Sequence, residues 1–167
     1  MTKGIRFAEG IKVLPVLAPQ NIVATATATS YVNTANANWN SFWVQFGTMT
    51  SDSTDLVTVT VECSTAGTSN ATESQIAFNY RLSAAVDTDT LGAITAATAA
   101  GGAVINATND NQGLWIDLDP SAVAANAADM RFVRVVITPD AAVAACTVGV
   151  TYFGETRFPG NSIPAST

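Results

Sequence analysis

Asp117 and Asp119 are the residues whose type and spacing come nearest to a chemical site in this 167-residue chain. Two apart on a strand, they would share one face, as paired general acids or two calcium ligands do. A second reading competes with that one. Asp119 precedes Pro120; a carboxylate at an N-cap accepts first-turn N–H groups, and proline fits the first helical position. The favoured expectation is that Asp119 caps a helix and Asp117 is solvated or paired with an arginine. Asp52 with Asp55, and Asp87 with Asp89, read as turn acids, and neither loop has the spacing of a calcium-binding loop. The chain has no histidine, which removes Ser-His-Asp and Cys-His catalysis and every histidine-containing zinc or iron site. It also lacks a glycine-rich phosphate loop and a dinucleotide fingerprint. No catalytic, cofactor-binding or metal-ligating residue is assigned, and no enzyme activity is expected.

The aromatic, basic and thiol side chains read as structural. Trp39, Trp43 and Trp115 could stack on sugars, but core packing is the expectation for at least two of them. Arg131 and Arg134, three apart on a strand, point to opposite sides and form no single anion site. One could pair inside the domain while the other reaches a partner. Cys63 and Cys146 fall in phase with valines, and free cysteine is among the most buried residue types. Two buried, reduced thiols are expected, not a disulfide framework.

The elements that position these residues centre on 113–138. Leu114, Ile116 and Leu118 alternate with Trp115, Asp117 and Asp119, as in a strand with one face on a core. Residues 121–129 are alanine-rich enough for about two helical turns. Val133, Val135 and Ile137 then alternate with Phe132, Arg134 and Val136 in a second strand, closed by Pro139. The unit reads as two central strands joined by a helical crossover.

Upstream, 21–31 is predicted as a half-exposed strand and 33–38 as a turn. Residues 39–46 form an aromatic strand with Phe42, Val44 and Phe46 on one side, followed by a polar loop over 47–55. Residues 56–63 give the cleanest alternation, valines inward. Ile76, Phe78, Tyr80 and Leu82 mark one further strand, 103–107 a short one and 143–153 the last. About eight evenly spaced strands and one short helix make the expected fold all-β, a β-sandwich or jelly-roll-like domain. That domain spans 21–153. Residues 1–20 are predicted as an N-terminal arm that could add a short edge strand, since Pro15 lacks the N–H a central strand needs. Residues 154–167 are predicted as a C-terminal arm. Pro15 and Leu17 on the first arm, and Phe158 and Ile163 on the second, are the candidate partner contacts, because extended segments can add to a neighbour's sheet.

Hydrophobic residues make up 48% of the chain and charged residues 12%, the latter about half the usual share. So little charge is unusual on a freely soluble monomer and suits faces covered by neighbours. The net charge is −6 and the basic residues form no cluster, which argues against nucleic acid as a partner. No run is long enough for a membrane span, and the N-terminus lacks a secretory apolar region. No membrane partner is expected.

Several stretches together resemble small structural proteins of tailed bacteriophages, similar to capsid decoration (cement) proteins. They are Ser30-Tyr-Val-Asn, Trp39-Asn-Ser-Phe, Thr58-Val-Thr-Val-Glu-Cys-Ser, Tyr80-Arg-Leu-Ser, Asp117-Leu-Asp-Pro-Ser, Phe132-Val-Arg-Val-Val and Arg157-Phe-Pro-Gly-Asn-Ser-Ile-Pro. The resemblance covers most of the chain as an overall pattern and carries no catalytic motif. It implies a β-sandwich or jelly-roll subunit, made in the host cytoplasm and bound to the outside of an icosahedral head. Its implied partners are the major capsid protein and itself, as a homotrimer, with no cofactor. The alternative is a carbohydrate-binding β-sandwich of the head-fibre or tail-adhesin type, which needs exposed aromatic residues on one accessible face.

Overall fold

Alternating β-branched and aromatic residues dictate strands here, and the pairing of those strands follows one simple rule. The computed structural model describes residues 11–50, 54–68, 72–126 and 130–156. Among them lie twelve strands: β1 (Ile11–Ile22), β2 (Thr27–Ala28), β3 (Val32–Asn33), β4 (Ala37–Thr50), β5 (Leu56–Ser64) and β6 (Glu73–Ile76) come first. β7 (Phe78–Leu82), β8 (Thr95–Ala97), β9 (Ala103–Asn106), β10 (Gly113–Leu118), β11 (Phe132–Pro139) and β12 (Ala145–Thr156) follow. One α-helix, α1 (Pro120–Asn126), joins β10 to β11.

The first sheet runs β1-β12-β4-β10-β7-β8 and the second β2-β11-β5-β6, with β3 also on β11 and β9 also on β5. The pairings nest. β1 pairs with β12, β2 and β3 with β11, β4 with β10, and β5 with β6, all antiparallel. A long hairpin of four strand pairs, wrapped so that alternate pairs fall in opposite sheets, is a jelly roll. The all-β sandwich expected from the alternation is the fold observed.

Both sheets put their apolar phase into one core. Phe42, Val44 and Phe46 of β4, with Leu114, Ile116 and Leu118 of β10, meet Val57, Val59 and Val61 of β5, with Val133, Val135 and Ile137 of β11. Each is at most 1% exposed. Tyr152 stacks edge-on against Phe42 at 5.2 Å and donates to Asn40 Oδ1 at 2.6 Å inside that core. Cys63 and Cys146 are buried and free, one in each sheet. The expected crossover between two interior strands is present, but β10 and β11 belong to different sheets, so α1 closes one end of the sandwich. Its Val123 is buried in the core.

Three local expectations need correction. The strand expected over 76–82 is two strands: β6 ends in the second sheet at Ile76 and β7 begins in the first at Phe78. Ala77 is the corner, and the alternation passes through it in phase. The loop expected over 47–55 is strand as far as Thr50, because Cys146 and Ala145 of β12 pair with Met49 and Thr50. The strand expected over 21–31 is confined to the end of β1 and the two residues of β2, and Ala24 between them has φ 51°. The edge strand expected at 11–17 is present, and residues 11–20 all take part in it. They form most of β1, which pairs along β12 as the sheet's edge with irregularities after Pro15 and Leu17. The irregularity lets both Val16 and Leu17 turn toward the core. At the other end β12 continues to Thr156, paired with Ala37.

Candidate functional site

The outer face of the first sheet carries what the core does not hold. Inward residues on β4 and β10 leave Trp39, Ser41, Trp43 and Gln45, and Gly113, Trp115 and Asp117, on the opposite face. Register lines these up in rows across four strands. Phe153, Ser41, Asp117 and Asn79 make one row, and Thr151, Trp43, Trp115 and Arg81 the next. The expectation that at least two tryptophans pack in the core is therefore wrong. Trp39 is 44% exposed, while Trp43 and Trp115 are half-buried on the outer face. The cause is the phase of each strand: once Phe42 and Val44, or Leu114 and Ile116, take the core, the tryptophans between them must point away.

Trp43 and Trp115 lie 6.0 Å apart between ring centres, and Trp115 and Phe153 lie 5.3 Å apart at 31°. Hydrogen bonds hold the indoles in place. Trp115 Nε1 donates to Asp117 Oδ1 at 2.8 Å, and Ser41 Oγ donates to the same oxygen at 2.9 Å. Trp39 Nε1 donates to Ser41 Oγ at 3.1 Å, and Trp43 Nε1 to Gln45 Oε1 at 3.1 Å. Each indole N–H is thus satisfied within the sheet, which leaves the ring faces as the available surface. Gly113 makes the arrangement possible: a Cβ there would come within 1.9 Å of the Trp43 ring. Only a residue without a side chain lets the indole lie across β10.

Two hollows adjoin this cluster and share Trp43 and Thr88 as a common wall. One, of about 360 Å³, is walled by Trp43, Trp115, Phe153 and Leu91, with Asp89 at its side. The other, of about 210 Å³, is polar and includes Gln45, Asp87 and Asn111.

Asp117 and Asp119 do not act as a pair. Asp119 accepts the Ser121 N–H at 2.8 Å, the expected cap, and that bond holds its carboxyl below the usual carboxylate range. Asp117 instead serves the indole network, accepting hydrogen bonds from Trp39, Ser41 and Trp115 rather than pairing with an arginine. Among the described residues no cluster of three or more Cys, Asp or Glu side chains could hold a metal ion. Asp52, Phe158 and Ile163 lie outside the described residues. Pro15 is exposed on the β1 edge, whereas Leu17 packs partly on its own core.

Arg134 pairs on the outer face of the second sheet with Glu62 at 2.8 Å and Glu73 at 3.0 Å. Its guanidinium also sits 4.7 Å from the Tyr31 ring centre, and Tyr31 donates to Glu73. This is the internal pairing expected of one arginine. Arg131 is exposed, with its guanidinium 5.9 Å from the Phe132 ring centre.

No known family model and no curated protein matches the chain. Among solved structures, that of infectious bursal disease virus Gt strain is similar at 11% identity and a TM-score of 0.27, covering 94% of this chain and 45% of that one. That of the Gx strain is similar at 11% identity and a TM-score of 0.24, covering 94% and 43%. The chain spans less than half the length of the viral chains it matches. At such TM-scores the likeness carries no weight for topology or role. The jelly-roll order rests on the strand pairings themselves.

Proposed function

We propose that this protein is a virion structural subunit, a decoration or cement protein that binds the outside of a tailed-phage head and stabilises it. The observation that carries the reading is the nested jelly-roll hairpin, an architecture shared by viral shell subunits and lectin-like domains. Fold analogy alone does not assign function. Here it is joined by the resemblance of the sequence to phage head proteins and by a surface with few charges, suited to burial against neighbours. On this reading the subunit has no catalytic role. Its partners are the major capsid protein and further copies of itself, as a trimer, and the exposed edge of β1 around Pro15 is one surface for them.

The test is addition of the purified protein to expanded heads built from the major capsid protein of the same phage. Saturable co-sedimentation and a rise in the heads' melting temperature are expected. Heads that neither retain the protein nor gain stability would refute decoration. One observation, the aromatic outer face, supports a carbohydrate-binding activity as well, and the two are compatible on one subunit.

A further inference from the structure

We infer that the outer face of the first sheet is a binding site for a neutral saccharide, seated in the hollow between Trp43, Trp115 and Phe153. The site does not depend on decoration. Three features point to this ligand class together. The first is the presentation of aromatic faces: the indole N–H groups are engaged by Asp117 and Gln45, so a ligand meets the electron-rich ring faces. Those faces attract the weakly positive C–H groups of a pyranose ring. The second is the rim. Asp89 borders the aromatic hollow, and Gln45, Asp87 and Asn111 border the polar one that continues past Trp43. Carboxylate and amide oxygens accept hydrogen bonds from hydroxyl groups, which a saccharide supplies all round its ring.

The third is charge. No lysine or arginine is among the residues that wall either hollow, while two aspartates are. Arg81, opposite Trp115 in the same row, is one cation against the two carboxylates, so the balance of charge beside the hollows is negative and favours an uncharged ligand over an acidic sugar or a phosphate. Size agrees: the aromatic hollow, at about 360 Å³, falls within the roughly 300–1,000 Å³ of small-ligand sites. The division of labour across Trp43 would let one sugar unit stack while its neighbour hydrogen-bonds in the polar hollow. The rings are held before the ligand arrives, by the Asp117 network and by the gap at Gly113, so little ordering remains to be done on binding.

The experiment titrates the full chain with cellohexaose, maltohexaose and chitohexaose, and with oligogalacturonate as the anionic probe, reading tryptophan emission and calorimetric heat. At least one neutral hexamer is expected to give a saturable change, and oligogalacturonate none. Trp115→Ala and Asp89→Asn should each weaken that binding at least tenfold. Asp89 is exposed, so its variant keeps the fold intact should Trp115→Ala unfold. Val104→Ser, on the second sheet, should bind as the wild type does. The inference is overturned if no neutral hexamer binds, if Asp89→Asn leaves binding unchanged, or if the anionic probe binds more tightly. It is likewise overturned if Trp115→Ala abolishes self-association or head binding while no hexamer binds, because the face is then a protein contact.

Discussion

Two buried thiols and two buried phenols decide how this fold responds to alkali. Burial pushes the Cys146 thiol up to about 11 from its ordinary 9.0, with the charge of Asp110 adding to the effect. Burial also raises Cys63 and the phenols of Tyr152 and Tyr31. In every case the native state prefers the neutral form. Below the unfolded thiol value both states are protonated and the stability is fully present. As pH rises past 9 the unfolded thiols ionise first and stability falls. The urea midpoint is expected to drop between pH 8.5 and 10.5 (about the span in which ordinary thiols and phenols lose their protons). The drop should be shallower in a Cys63→Ala/Cys146→Ala variant. A midpoint flat across that range would contradict the burial assigned to these groups. Asp119 works with the opposite sign. Its lowered carboxyl contributes above the ordinary carboxylate range, and that contribution is lost as pH falls through its native value.

Elements here are defined by partners as much as by their own residues. Gly113 on β10 exists for Trp43 on β4. Gly113→Ala should cost roughly 1–3 kcal/mol as an overpacking change and reduce the near-ultraviolet dichroism of the tryptophans. A variant with native stability and an unaltered spectrum would show that the indole does not lie over β10. On the second sheet Arg134 ties β11 to β5 and β6 through Glu62 and Glu73. Arg134→Met should lower stability by roughly 1.5–3 kcal/mol, the range for hydrogen bonds to charged groups, with Glu62→Gln costing less in that background than alone. Additive losses would contradict the pairing.

The same partner dependence explains what could be read in advance. Leu114, Ile116 and Leu118, or Val133, Val135 and Ile137, announce their burial because period-two alternation is local to each strand. The outward tryptophans were legible too, since Trp43 alternates with Phe42 and Val44. Large apolar rings simply weigh toward a core until strand phase is allowed to overrule them. The corner at Ala77 was not legible, because alternation continues in phase from one sheet to the other. Nor was the extension of β4 to Thr50, which depends on hydrogen bonds from β12 some hundred residues on.

For the whole molecule, the nested pairing of β1 with β12 and of β2 and β3 with β11 closes the first part of the described chain onto the last. Such contacts have no local signature, so the sandwich could be expected from strand number while its strand order could not. The same order leaves two unlike outer surfaces. The first sheet offers tryptophans and a hollow; the second has an arginine held by carboxylates. With only 12% charged residues overall, the molecule has little to keep its faces apart from neighbours. On the proposed reading, attachment to a phage head would account for that economy, and purified particles of such a phage test it directly. Cryo-electron microscopy of those particles is expected to show jelly-roll density outside the capsid floor at symmetry-related positions, with mass spectrometry identifying this chain. Particles that lack the chain, or carry it only on the tail, would contradict the account.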